Sequence, residues 1–99
     1  MKAYRDNLKN AAAKAGVSIR FVGSDVGAWS YPTPYAVDDW DKARALIDQL
    51  IDQGWIVESQ DLGYFCLAMD DHVMIVTASA GEVIFTLDTR KAIFAAPAH

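Results

Sequence analysis

Apolar residues recur every three to four positions in two segments of the chain, a spacing that predicts two helices with one buried side. The first segment covers residues 2–15 and ends at Gly16, which readily adopts the left-handed conformation found after helices. Its apolar stripe consists of Tyr4, Leu8, Ala11, Ala12 and Ala15. The second segment runs to about Gln53, and Asp38 or Asp39 can cap its start by accepting backbone hydrogen bonds. Its stripe consists of Trp40, Ala43, Ile47, Leu50 and Ile51, with Leu46 at the margin.

From Trp55 onward the apolar period changes to two, which is typical of strands with one buried face. Four such segments follow one another: WIVESQ, YFCLAM, VMIVTA and EVIFTL. The intervening DLG, DDH and SAG are short and rich in turn-forming residues, so the pattern predicts an antiparallel meander. The third strand is apolar on both faces from Val73 to Val76, which favours a central position in the sheet.

The remaining segments complete the predicted fold. Residues 17–22, VSIRFV, are rich in β-branched side chains and predict one more short strand. Residues 23–37 read as an irregular connection, extended around YPTPY because proline fixes its own backbone angle. Residues 90–99 could form a short helix or a fifth strand of the sheet. We therefore expect one α+β domain over residues 1–99, in the order α-β-α-β-β-β-β, with two helices packed on one face of an antiparallel sheet of four to five strands.

Composition supports a folded domain and bears on where the protein is expected to act. The 99 residues are 53% hydrophobic and 22% charged, which suffices for a core and argues against disorder. No apolar run approaches the roughly 20 residues that span a bilayer, and the charged N-terminus lacks the apolar block of a signal peptide. The single cysteine, Cys66, cannot form an internal disulfide. We therefore expect a cytoplasmic protein that does not bind membranes.

Charge is divided unevenly along the chain. The formal net charge is −4, but residues 1–20 sum to +4 and residues 21–71 sum to −8, while the rest balances to zero. Such a field repels nucleic acid over most of the surface and attracts a basic protein. The sequence therefore predicts a basic protein partner and no direct binding of nucleic acid.

Residue patterns typical of catalysis, metals or cofactors are absent from the sequence. Cys66 has no associated nucleophile motif, and a lone cysteine is most often a small apolar filler. Asp70, Asp71 and His72 are consecutive, so their side chains cannot all converge on one ion, and a hairpin turn accounts for them. We therefore expect a non-catalytic protein with no metal and no cofactor.

Aromatic residues crowd one stretch, AWSYPTPYAVDDW, over residues 28–40. Large rings can close a thin core, and they can equally anchor a partner, since tryptophan and tyrosine are enriched at interface hot spots. We expect both uses, with Trp40 buried and Tyr31 or Tyr35 presented to solvent. The predicted partner-binding residues combine these rings with the nearby acids: Trp29, Tyr31, Tyr35, Asp38, Asp39, Asp41, Asp48 and Asp52.

The function that these features favour is a non-catalytic protein-binding module, namely an acidic inhibitor of the immunity, antitoxin or phage anti-defence type. This class is suggested by analogy from size and charge. One alternative is a small-molecule-binding domain in which the aromatic loop covers a pocket. Another is a self-associating domain, or homodimer, that pairs an apolar sheet face: Tyr64, Cys66, Met74, Val76 and Ile84.

Overall fold

The computed structural model describes residues 4–23 and 32–91, and these residues form two helices and six strands. Their bounds are α1 Tyr4–Ala15, β1 Arg20–Phe21, β2 Thr33–Val37, α2 Trp40–Asp52, β3 Ile56–Asp61, β4 Tyr64–Met69, β5 His72–Ser79 and β6 Glu82–Thr89. The predicted α+β class is confirmed. Neither described helix is long and apolar enough to cross a membrane.

The six strands form one antiparallel sheet in the order β1-β2-β6-β5-β4-β3. Strands β3 to β6 are the predicted meander, and β5 lies inside the sheet between β4 and β6, as its two apolar faces indicated. Val73 and Met74, which point to opposite faces of β5, are both fully buried. The edges of the sheet are β3 and the two-residue strand β1.

Strand β2 corrects the last part of the predicted irregular connection, Thr33–Val37, and raises the strand count from four or five to six; residues 24–31 of that connection lie outside the described residues. It pairs with β6 over its whole length, from Thr33 opposite Leu87 to Val37 opposite Val83. Pro34 is tolerated within β2 because of the direction in which its backbone faces. Its carbonyl accepts the Val22 N–H at 3.0 Å and therefore points toward β1. The N–H and C=O of one strand residue face the same neighbour, so the missing N–H of Pro34 faces the short β1 and removes no bond to β6.

One hydrophobic core joins residues from both helices with residues from one face of the sheet. Helix α1 contributes Leu8, Ala11 and Ala12, and helix α2 contributes four more residues. Those four are Ala43, Leu46, Ile47 and Leu50. The sheet side of the core consists mainly of Tyr35, Val37, Phe65, Leu67, Met74, Val76, Val83, Phe85 and Leu87. Alternation along each strand therefore decides which residues reach this core.

The opposite sheet face carries a smaller cluster of Cys66, Ala68 and Val73, flanked by Tyr64 and Ile75. This arrangement corrects the surface predicted for self-association. Tyr64, Cys66 and Ile84 do share this face, as the pairing register shows. Met74 and Val76 instead lie fully buried in the main core, because the register places them on the other face. The five predicted residues therefore do not form one surface.

Helix α2 begins as predicted but buries a slightly different arc. Asp39 is its N-cap, with the side chain accepting a hydrogen bond from the Lys42 N–H at 2.9 Å. Leu46, predicted at the margin, is fully buried, whereas Ile51, predicted in the buried stripe, is 43% exposed. Helix α2 contacts α1, β2 and β6, so the positions of these elements decide the buried arc. Trp40, predicted to be buried, is half-buried against Phe65, with ring centroids 5.9 Å apart.

Candidate functional site

Three exposed carboxylates lie along the solvent side of helix α2. Asp41, Asp48 and Asp52 are separated by seven and four residues, and the α-helical repeat places them within about 40° of one another. They lie on the side opposite the buried Ala43 and Leu50. We call Asp41, Asp48 and Asp52 the acidic line of α2. The sequence predicted each of these residues as a partner contact, and the structure brings all three together on one surface.

The two aspartates before the helix are occupied locally. Asp39 caps the helix, and the carboxylate of Asp38 accepts a hydrogen bond from the Lys42 ammonium at 3.3 Å. Both residues remain exposed. Their negative charge suits the positive end of the helix dipole, so helix formation alone accounts for them.

The acidic line is partly held in place by an arginine. The Arg44 Nε lies 3.5 Å from Asp48 Oδ1, and the Arg44 guanidinium lies over the Phe65 ring, 5.3 Å from its centroid. Neither Asp41 nor Asp52 forms an ion pair with any residue that the structure describes. Two of the three carboxylates are thus available to a cation from outside.

Helix stability does not explain the C-terminal half of the acidic line. The last turn of α2 contains no basic residue, and Asp52 lies there at the negative end of the helix dipole. Asp48 is one turn earlier, so the two carboxylates also repel each other. Each effect destabilises a surface helix by only a few tenths of a kcal/mol, yet both have the same sign.

Three aromatic residues were predicted as partner contacts, and the structure describes only one of them, Tyr35. Tyr35 is only 9% exposed and packs edge-on against Phe21, with centroids 5.4 Å apart. Of the two rings predicted as alternatives for presentation to solvent, Tyr31 or Tyr35, Tyr35 is not presented, because β2 places its ring opposite Phe85 in the core. Trp29 and Tyr31 lie outside the described residues. Trp40, which the structure does describe, is partly exposed on the first turn of α2.

The sequence pattern did not predict that Ile51 and Ile56 are exposed. Ile51 directly precedes Asp52 and is 43% exposed, and Ile56 is 68% exposed at the start of β3. A helical projection centred on Ala43 and Leu50 would have placed Ile51 at the edge of the buried arc. Ile51 follows Asp48 by three residues, so on α2 an exposed apolar side chain adjoins the acidic line.

A groove of about 480 Å³ lies at the β3 end of the sheet, away from β1 and β2. Its apolar lining comes from Ile56 and Ala68, which are partners across β3 and β4, and from Met69. Its polar lining is supplied by Gln53, Glu58, Asp70 and Arg90. The groove therefore lies beyond the C-terminal end of α2, where Gln53 follows Asp52.

The Arg90 guanidinium crosses to Glu58, with its Nη2 atom 2.6 Å from the Glu58 Oε2. On the other side of the groove, Oδ2 of Asp70 accepts a hydrogen bond of 2.7 Å from the Tyr4 hydroxyl. The Tyr4 ring stacks on His72 with centroids 3.7 Å apart. Through these contacts with Tyr4, Asp70 and His72 hold the β4–β5 turn against α1.

Cys66 is buried, with 2% of its surface exposed, on the sheet face away from the helices. Burial raises the pKa of its thiol, and the nearby Glu58 carboxylate raises it further. Both effects disfavour the thiolate, which is the nucleophilic form. The predicted filler role in packing is confirmed.

The described residues contain no group of three or more His, Cys, Asp or Glu side chains arranged to hold a metal ion. Comparison with known proteins adds no identity, because the chain matches no protein-family model, no curated protein and no solved structure. The candidate site is therefore defined by its own geometry: an acidic line on α2, apolar neighbours and an adjoining groove.

Proposed function

We propose that this chain is a non-catalytic protein-binding domain that docks on a basic protein partner through the acidic line of α2. The observation that carries the proposal is the alignment of Asp41, Asp48 and Asp52 on the helix side opposite the core. A helix that only covers the sheet needs polar side chains on this side, but it does not need charges of a single sign there. A row of carboxylates matches a row of cationic side chains.

The charge of this surface favours fast association with a basic partner. Residues 38–52 carry five aspartates against Lys42 and Arg44, a formal charge of −3. Lys42 and Arg44 are themselves bound to Asp38 and Asp48. Complementary potentials steer partners together and raise the association rate by about 10- to 1000-fold at low ionic strength.

Apolar side chains beside the carboxylates supply area that a partner can bury. Ile51 is 43% exposed on α2, and Trp40 is half-buried on its first turn. Apolar and aromatic anchors carry much of the free energy of binding at interfaces, while surrounding charges govern the association rate and specificity. The combination supports a specific contact over general attraction to polycations.

Within this class we propose an inhibitor that occupies the basic surface of its target in the cytoplasm, of the immunity, antitoxin or phage anti-defence type. A small single domain with concentrated negative charge suits this role because it can cover a positively charged active or binding surface without chemistry of its own.

The proposal is tested by making the same change of charge at two different surfaces, in two separate variants. The variant D48K/D52K reverses two charges on the acidic line and brings the formal net charge from −4 to zero. The control D61K/D71K makes the same change at exposed residues of β3 and the β4–β5 turn. Partners captured by the wild-type chain from its source cells are identified, purified and measured for association rate against ionic strength.

We expect D48K/D52K to slow association with the partner at least about tenfold at low salt, and D61K/D71K to change it much less. The difference between the two variants should shrink as salt screens the charges. Equal effects of the two variants would show that the interaction depends only on net charge. If D48K/D52K had no effect, the acidic line would not be part of the interface. Either result contradicts the proposal.

A further inference from the structure

Arg44 is a positive charge set against the acidic line of α2. It lies three residues after Asp41 and four before Asp48, so the helical repeat places it within about 60° of both around the helix axis. Lys42, the other cation of the helix, lies about 100° from Asp41 and pairs with Asp38, which precedes the helix. A partner lying along the acidic line therefore faces Arg44 more directly than Lys42.

The ion pair with Asp48 does not account for Arg44. The Arg44 Nε lies 3.5 Å from Asp48 Oδ1, which is longer than a charged hydrogen bond of about 2.7–2.9 Å. The two side chains are 55% and 62% exposed, and exposed ion pairs contribute little to stability. A helical pair is also less favourable when the cation precedes the anion, as it does here. Asp48 therefore leaves most of the binding capacity of Arg44 unused.

Aromatic rings hold the Arg44 side chain in place. The guanidinium lies over the Phe65 ring, 5.3 Å from its centroid, which is within the range of cation–π attraction. Phe65 is fixed in the core with 5% of its surface exposed, and the Trp40 ring packs against it with centroids 5.9 Å apart. Contact with a ring requires no hydrogen bond. The donors of Arg44 are thus positioned without being occupied.

The Nη groups of Arg44 are open to a ligand. Neither Nη atom forms a hydrogen bond or an ion pair with a residue that the structure describes. Together they carry four N–H donors in one plane, an arrangement that matches the two oxygens of a carboxylate. Trp40 lies one turn before Arg44 and Ile51 two turns after it, on the same side of α2, and both are partly exposed. Arg44 therefore lies between two apolar side chains that a partner can cover.

We propose that Arg44 is a specificity-determining residue that binds a carboxylate on the otherwise basic surface of the partner. The inference rests on the proposed function, since it supposes that partner. A uniformly positive surface is attracted by the acidic line but repelled by Arg44. A basic surface with one aspartate or glutamate opposite Arg44 avoids this repulsion and gains a bidentate pair. Arg44 therefore discriminates among basic partners by repulsion as well as by attraction.

The test uses the full chain and two peptides, so that it does not depend on finding the partner. The peptides are acetyl-KKEKK-amide and acetyl-KKQKK-amide, of which the glutamine peptide carries one more net positive charge. Extended, each spans about 17 Å, close to the distance of about 16 Å from Asp41 to Asp52 along α2. Each peptide is titrated into isotope-labelled protein at low ionic strength. The backbone amide shifts and the Arg44 Nε–H shift are followed by NMR.

We expect the wild-type chain to bind the glutamate peptide at least about threefold more tightly than the glutamine peptide, although the glutamate peptide is less positive. Attraction by net charge alone gives the opposite order. Equal binding of the two peptides, or tighter binding of the glutamine peptide, would overturn the proposal.

The variants R44Q and K42Q locate the effect, because each removes one cation of α2 and changes the formal net charge from −4 to −5. Both residues are exposed, so both variants should keep the fold. We expect R44Q to bind the glutamine peptide more tightly, while K42Q keeps the wild-type preference for the glutamate peptide. R44K keeps the charge but lacks the planar pair of Nη groups, and it should lose most of the preference. An unchanged preference in R44Q, or an equal loss in K42Q, would refute the role of Arg44.

These outcomes are separable from the fate of the proposed function. If both peptides bound equally and D48K/D52K weakened both, the acidic line would remain a docking surface for basic partners and only the role of Arg44 would be wrong. If neither peptide bound the wild-type chain, the result would contradict the acidic line as a docking surface together with this inference.

Discussion

Tyr4 stacks on His72 with ring centroids 3.7 Å apart and ring planes inclined by 16°. The Tyr4 hydroxyl also donates a hydrogen bond to Asp70, so one residue of α1 holds both ends of the β4–β5 turn. Tyr4 further packs edge-on against the buried Trp55, at 6.2 Å. The contact joins the start of the described chain to the turn beside the groove.

The Tyr4–His72 stack should make stability depend on pH. Burial lowers the pKa of His72 below its ordinary value of 6.5, although three nearby carboxylates oppose the shift. These belong to Asp71, Asp70 and Asp88. Below pH 6.5 the unfolded chain therefore binds a proton at this histidine more readily than the folded chain does, and the free energy of unfolding falls as the pH falls.

We expect His72→Phe, which retains an aromatic ring against Tyr4, to lose less stability than the wild type between pH 7 and pH 5. Urea unfolding of both proteins across this range measures the difference, and the variant serves as the control for other acidic groups that titrate there. Parallel curves for the two proteins would show that His72 is not the titrating group.

The acidic line should have opposite effects on stability at its two ends. Asp41 lies in the first turn of α2, where a carboxylate stabilises the helix dipole, and Asp52 lies in the last turn, where it does not. We expect Asp41→Asn to lower the free energy of unfolding by about 0.3–1 kcal/mol. Asp52→Asn should raise it by a similar amount, because it also relieves repulsion from Asp48.

Chemical denaturation of both single variants and of the double variant checks this prediction. The two positions are three turns apart, so their effects should add. A stabilised D52N protein that binds its partner less well would show that the charge at Asp52 is retained for binding at the expense of stability. Destabilisation by D52N would contradict the expected dipole effect.

Cys66 should react with thiol reagents only when the protein unfolds. The side chain is 2% exposed, and burial raises the pKa of its thiol. Both features slow alkylation, which requires an accessible thiolate. Iodoacetamide labelling followed by mass spectrometry should therefore be slow in buffer and become complete across the urea transition. Rapid labelling of the native protein would show that the sheet face around Cys66 opens locally.

Tyr35 should contribute to folding as a core residue. Its ring packs with Phe21 and lies opposite Phe85, and only 9% of its surface is exposed. We expect Tyr35→Ala to lower the free energy of unfolding by about 3–5 kcal/mol, as for other buried aromatic residues. Tyr35→Phe keeps the ring in the core and should cost much less.

Thermal unfolding of both Tyr35 variants measures these effects, and partner binding by Tyr35→Phe separates stability from recognition. A small decrease in the free energy of unfolding of Tyr35→Ala would indicate that β2 contributes little to the core. Weaker partner binding by a fully folded Tyr35→Phe variant would show that Tyr35 takes part in partner binding, as the sequence predicted.

The sequence by itself determined the elements whose signals are local. Apolar spacing fixed α1, α2 and the four-strand meander, and the short turns fixed its antiparallel order. Asp39 was recognised as a possible cap because capping depends on residues only three positions apart. The acidic line followed in the same way, since helical geometry alone aligns Asp41, Asp48 and Asp52.

Only the tertiary structure decided which residues the neighbouring elements bury and which distant residues meet. Strand β2 exists because β6 offers it a partner along its length and Pro34 faces the short edge strand, and this pairing takes Tyr35 into the core. Ile51 stays exposed because helix and sheet contacts lie on the other side of α2. The groove unites Gln53, Asp70 and Arg90 from separate segments. Local periodicity cannot encode such contacts, since they depend on sheet order and register.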